Sequence, residues 1–193
     1  SPTTRVDMID GLYYEFVGLP CGVRTSMPIG VVAGQPPEFF VYRGTRFHEV
    51  LGESGRLMLI SPYDPLVFLR SLRHELEEEL AWGDGCPSVD EKLGAWYECE
   101  YSLREVTGEG KRYACSGLRL VAGHHVPFTR AYGCLVELLV LLTKARAGLW
   151  EDWWPQYAEG LVWCVTRSSR GSEKYVVPAN EVLQELRALR GRA

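Results

Sequence analysis

The sequence has no apolar run long enough to cross a bilayer. Its most apolar stretch, Gly133 to Leu142, falls short of the about 20 residues that a spanning helix needs. It lacks G-x-G-x-x-G, the Walker A pattern and G-x-S-x-G, so dinucleotide-fold, P-loop and α/β-hydrolase readings have no support. There is no C-x-x-C pair, which excludes a zinc ribbon or a thioredoxin motif. The four histidines form no ligand pattern: His124 and His125 are neighbours on a loop, and His48 and His74 stand alone, so no metal site is expected. Positive charge is not in excess. A net charge of −4 argues against a general nucleic-acid or anionic-membrane binder, because such proteins neutralise phosphates with surplus Lys and Arg. Ser1 to Asp10 is polar and carries no apolar leader core, so a cytoplasmic location is expected.

What is present suits one domain, or one domain with a helical appendix, in 193 residues. Six cysteines are widely spread. Most are expected to be buried, unpaired and hydrophobic in character. A bridge between the strand cysteines Cys99 and Cys115 is the exception the pattern allows, as in hyperthermophile proteins.

The first half reads as strands. Leu12 to Val17, Met27 to Ala33, Glu38 to Tyr42 and Gly55 to Ile60 are β-rich and bounded by turn residues, the middle two forming a hairpin around Gly34-Gln35-Pro36-Pro37. Thr45 to Leu51 fits one or two helical turns. Asp64-Pro65 opens a helix expected to run to about residue 82, with Glu75, Glu77, Glu78 and Glu79 on a solvated face. Trp82 to Gly94 reads as a loop. Trp96 to Val106 alternates cleanly, with Tyr97, Cys99, Tyr101 and Leu103 on the buried side, and Arg112 to Val121 returns beside it. Helices follow: Phe128 to Ala147, capped by Thr129; Pro155 to Arg167; and a last one capped by Asn180, with Arg187, Arg190 and Arg192 near its end. The first of these is apolar nearly all round, so it should be buried on most sides, for example against a second subunit. The expected class is α+β: an antiparallel β core of five to seven strands with helices concentrated late.

Three stretches are candidates for chemistry. Tyr42-Arg43-Gly44-Thr45-Arg46 leaves a strand and enters a helix, gathering two guanidiniums, a hydroxyl and backbone N–H groups suited to an anion. On these residues alone, a surface turn with solvated arginines is the competing reading. Ser26-Met27-Pro28-Ile29-Gly30-Val31 offers a strand whose Gly30 would let a flat ring approach the backbone, though a plain core strand has the same look. Arg130, in Pro127-Phe128-Thr129-Arg130-Ala131, begins a helix where its charge opposes the dipole, so an anionic partner is expected: Glu137, or a ligand phosphate. No residue stands out as catalytic.

In order along the chain, these stretches resemble the DUF447 family of FMN-binding split-barrel proteins. Ser26 to Val31, Tyr42 to Leu51, Tyr63 to Phe68, and Phe128 to Ala131 with Glu137, Thr143 and Lys144 each look like a family segment. The resemblance implies a Greek-key-like split β-barrel over residues 1–126, with a helical insertion near 64–82. It implies C-terminal helices over 127–193 that pack on the barrel and at a dimer interface. By that likeness the protein is a homodimer that binds FMN. Met27, Ile29 and Gly30 line the ring, Arg43, Gly44, Thr45 and Arg46 surround the phosphate, and Arg130 adds a charge. The function implied is a flavin-dependent oxidoreductase or flavin reductase using a donor such as NAD(P)H; the alternative is a non-catalytic dimer that carries flavin or another phosphate ligand. Two polar residues of the family's phosphate turn are replaced by Phe47 and Val50 here.

Overall fold

A computed structural model describes residues 7–124 and 128–190; Pro127, His125 and Arg192 lie outside them. Strands β1 (Tyr13–Pro20), β2 (Met27–Val32), β3 (Glu38–Tyr42), β4 (Ser54–Pro62), β7 (Gly94–Val106) and β8 (Gly110–Ala122) close into an antiparallel barrel in the order β1-β2-β3-β8-β7-β4. The architecture is thus an α+β barrel with C-terminal helices, and the barrel is closed. The region expected to be loop contains a small hairpin, β5 (Trp82–Gly83) with β6 (Cys86–Pro87). Cys21–Cys86 ties that hairpin to the end of β1.

The alternation that marks β7 and β8 puts Tyr97, Tyr101 and Tyr113 inside, where Phe39 stacks on Tyr113 with centroids 5.2 Å apart. Register shifts near Trp96, Glu98 and Leu103 let these long strands bend around the barrel. Gly55 lies opposite Tyr101, and a Cβ there would sit 2.5 Å from the tyrosine hydroxyl, so the bare glycine makes room for the ring.

The outer face of β1 and β4 is also buried. Val17, Leu19, Met58 and Ile60 are covered by Val67 of α2 (Leu66–Leu72) and Leu76 of α3 (Leu76–Glu79). These replace the single helix expected from residue 64 to about 82. The break falls at His74, whose φ of +59° cannot continue a right-handed helix. A second correction follows from it: the turn swings Glu77 inward, so this residue is buried and not on a solvated face.

The chain divides into two compact units, one of residues 14–128 with the N-terminal stretch to residue 10, the other of residues 129–193 with 11–13. The second holds α4 (Arg130–Arg146), α5 (Trp154–Ser168) and α6 (Glu173–Arg190) around Leu138, Leu141, Trp154, Val165, Leu183 and Leu186. Helix α4 is not buried on most sides. One face enters this core, while Tyr132, Val136, Leu139 and Val140 are exposed. Helix α6 begins at Glu173 and runs through Pro178, so Asn180 is interior; its side-chain amide donates to the Val176 carbonyl and caps nothing.

The cysteines are the clearest departure from expectation. All six are paired, as Cys21–Cys86, Cys99–Cys115 and Cys134–Cys164. The Cys99–Cys115 bridge joins neighbouring strands, and Cys134–Cys164 joins α4 to α5. Among the described residues, no helix is long and apolar enough to cross a membrane.

Candidate functional site

Strand β3 leaves the barrel at Tyr42, and the Arg43 N–H still donates to the Glu109 carbonyl. Gly44 then takes φ +89°, a conformation open to glycine and strained for most other residues. Thr45 caps α1 (Arg46–Val50): its hydroxyl donates to the Tyr42 carbonyl at 2.7 Å and accepts from the His48 N–H at 3.3 Å. That hydroxyl therefore holds the turn. Phe47 drops into the barrel interior beside Ile29 and fills the space over Gly18, and it is completely buried. With Phe47 directed inward, Arg46 is left in solvent, its nearest carboxylate being Glu49 at 3.8 Å. Arg43 and Gly44 are exposed on the same turn.

Arg46 forms one wall of a cleft of about 310 Å³, shared with Arg24, Thr25, His74, Glu77 and Glu78. The opposite wall is a buried polar network. The Ser26 hydroxyl donates to the Glu77 carboxylate and is bonded to the Ser71 hydroxyl at 2.9 Å. His74 Nδ1 lies 3.4 Å from the other Glu77 oxygen. The Glu77 carbonyl accepts from the Trp82 indole at 3.0 Å and from the Arg24 guanidinium at 3.4 Å. Arg24 also rests on the Trp82 ring, 5.7 Å from its centroid. The disulfide Cys21–Cys86 and the Gly22 N–H bond to the Gly85 carbonyl anchor the loop that carries Arg24.

The same loop feeds β2. Strand alternation puts Met27 and Ile29 on one side and Ser26, Pro28 and Gly30 on the other. Ile29 points into the barrel and is buried, so only its backbone can meet anything outside. Gly30 is half-buried on the outer side, the side on which Ser26 reaches Ser71 and Glu77. At the rise of a strand, Ser26 and Gly30 are about 13 Å apart.

Arg130 belongs to the helical unit. It is the first residue of α4, exposed, and follows the N-cap Thr129, whose hydroxyl accepts from the Ala131 N–H at 3.3 Å. Sequence reasoning missed Arg24, His74 and Glu77. The available signal was Arg24-Thr25-Ser26, three polar residues set directly before an apolar strand.

A separate cluster lies on the strands β4, β7 and β8. Glu98 is bonded to both Arg56 and Arg119 in a depression of about 590 Å³. Partial burial pushes the Glu98 carboxyl up, but the two guanidiniums outweigh it and hold the group below the ordinary carboxylate value.

No family model and no curated protein matches the chain by sequence. Among solved structures, the chain is similar to an FMN-bound protein of the DUF447 family from Methanosarcina mazei. The two share 20% identity over 92% of this chain and 96% of that one, with a TM-score of 0.47.

Proposed function

We propose that this protein binds FMN, with the phosphate in the cleft between Arg46 and Arg24 and the ring along the outer side of β2 at Gly30. The observation that carries the reading is the placement of the two candidate stretches. Arg24, Arg46 and the buried Thr25 line one cleft, and a half-buried glycine follows on the outer side of the adjoining strand. The donor set fits a phosphate monoester: guanidiniums grip such groups with paired hydrogen bonds. Glu77 and Glu78 line the same cleft; the Glu77 carboxylate accepts from Ser26 and lies beside His74, so its oxygens are turned to partners within the protein. The order of the motifs along the chain, which resembles DUF447, supports the same ligand. Arg43 and Gly44 would flank the phosphate, Thr45 would hold their turn, and Met27 and Ile29 would offer backbone groups.

A bound flavin with an open ring face supports hydride exchange with a donor such as NAD(P)H. The cofactor supplies that chemistry while the chain supplies position and charge. We also propose that the protein is a homodimer. Titration of FMN into the purified protein, followed by quenching of flavin fluorescence, tests the binding. Uptake is expected, with sharp weakening in Arg46→Glu and an intact fold by circular dichroism. Absence of quenching at high micromolar protein, or unchanged affinity in Arg46→Glu, rules this placement out. Bleaching of the bound flavin by NAD(P)H tests the oxidoreductase reading, and a bound flavin inert to donors points to a carrier.

A further inference from the structure

We propose that His74, held by the buried Glu77, is a third phosphate-binding group of this cleft, and that a phosphate monoester dianion enters together with a proton on the His74 imidazole. The inference rests on the FMN reading above and adds a residue and a proton to it. Glu77 has two carboxylate oxygens. Ser26 donates to one, which fixes the carboxylate, and the other lies 3.4 Å from His74 Nδ1. A carboxylate placed in this way orients an imidazole. The imidazole is itself largely exposed and lines the cleft with Arg24 and Arg46, so Nε2 is free to face a ligand.

The charges around His74 set the coupling. Glu77 and Glu78 on α3 favour the imidazolium; Arg24 on the loop before β2 and Arg46 on α1 oppose it; Arg73 and Glu75 flank it in sequence with opposite signs. A phosphate dianion seated between the arginines cancels their opposition. The proton is taken from solvent, and Nε2–H then donates to a phosphate oxygen as a charge-assisted bond. The sign is diagnostic. A phosphate monoester ionises near pH 6, so binding its dianion releases protons, whereas His74 takes one up.

The experiment is calorimetric titration of FMN into the full chain near neutral pH, in two buffers of different ionisation enthalpy. Net proton uptake is expected for the wild type. His74→Asn removes the imidazole but tolerates the positive φ at this position, which asparagine adopts more readily than most residues. This variant should bind FMN roughly fivefold more weakly, the order expected for one exposed charge-assisted bond, and take up no protons. Arg24→Gln should weaken binding while retaining uptake. FMN binding without uptake, or uptake that persists in His74→Asn, overturns the role of His74 and leaves the FMN reading standing. Inorganic phosphate titrated in the same way separates the two in the other direction. Phosphate that binds with His74-dependent uptake, in a protein that refuses FMN, keeps this inference and removes the flavin. Failure of both ligands to bind removes both.

Discussion

The Ser26 hydroxyl donates to the carboxylate of Glu77, 51 positions away in the sequence, and both side chains are buried. This bond joins the start of a barrel strand to the short helix α3 that closes the cleft. Ser26→Ala leaves a buried carboxylate short of a donor, which costs about 1–3 kcal/mol. The urea midpoint should fall accordingly with little change in slope; an unchanged midpoint would show that Glu77 finds another donor.

Gly18 supports the other wall. A Cβ there would lie 3.0 Å from the Phe47 ring and 3.1 Å from Ile29, inside a filled barrel. Gly18→Ala is therefore an overpacking change expected to cost about 1–3 kcal/mol. Shortening the ring in Gly18→Ala with Phe47→Leu should recover part of the loss. The double-mutant cycle measures this, and additive losses would show that the two residues do not compete for the same space.

Sequence periodicity made much of this barrel legible. The alternation in β7 and β8 shows directly which tyrosines face inward, and Thr45 and Thr129 marked two helix starts because a hydroxyl before a helix has a specific local partner. The cleft was less visible because its wall depends on a backbone reversal at His74 that no glycine announces. Within the run of four glutamates near it, nothing local distinguishes the buried Glu77 from its solvated neighbours. Asn180 reads as a cap for a related reason: asparagine favours helix starts, yet α6 begins at Glu173 and passes through Pro178 and Asn180. The turn from Tyr42 to Arg46 stands out because its residues are consecutive, whereas Arg24 and His74, which share the cleft with Arg46, lie 22 positions before it and 28 after it.

Glu98 gives a pH-dependent prediction. Its folded-state pKa is depressed below the ordinary 4.5 by Arg56 and Arg119. Its stabilising contribution is then fully present above that ordinary value and is lost as pH falls through the lower folded value. Glu98→Gln should narrow this acid dependence. The stability gap between wild type and variant should be widest near neutrality and shrink with acidification, read from unfolding curves across pH. A gap constant down to strong acid would contradict the ion-pair assignment.

Of the disulfides, only Cys99–Cys115 was legible, from two neighbouring strands; the other two could not be read from spacing, because six cysteines allow 15 pairings. With the partners assigned, thiol titration of denatured, unreduced protein should find no free thiol, and reduction should release six. The Cys21–Cys86 bridge closes 65 residues, Cys134–Cys164 closes 30 and Cys99–Cys115 closes 16. Loop-closure entropy ranks their contributions in that order, each about 2–4 kcal/mol. Paired Cys→Ser variants compared by denaturant unfolding test the ranking, and a largest loss at Cys99–Cys115 would show that packing around the bridge outweighs chain entropy.

The proposed homodimer makes a prediction at α4. Tyr132, Val136, Leu139 and Val140 fall on one stripe of the helix, opposite the face that packs on α5 and α6, with Tyr132 72% and Leu139 43% exposed. A stripe of this kind, on a helix already anchored by its other face, is what a second copy would cover. Light scattering at micromolar concentration should give about twice 21.8 kDa for the wild type. Leu139→Glu should shift the mass to that of one chain without unfolding it, since the side chain contributes little to the core within the chain. Only the change of mass with an unaltered melting profile supports the interface; a wild type already monomeric removes it, and a variant that remains dimeric moves the contact elsewhere.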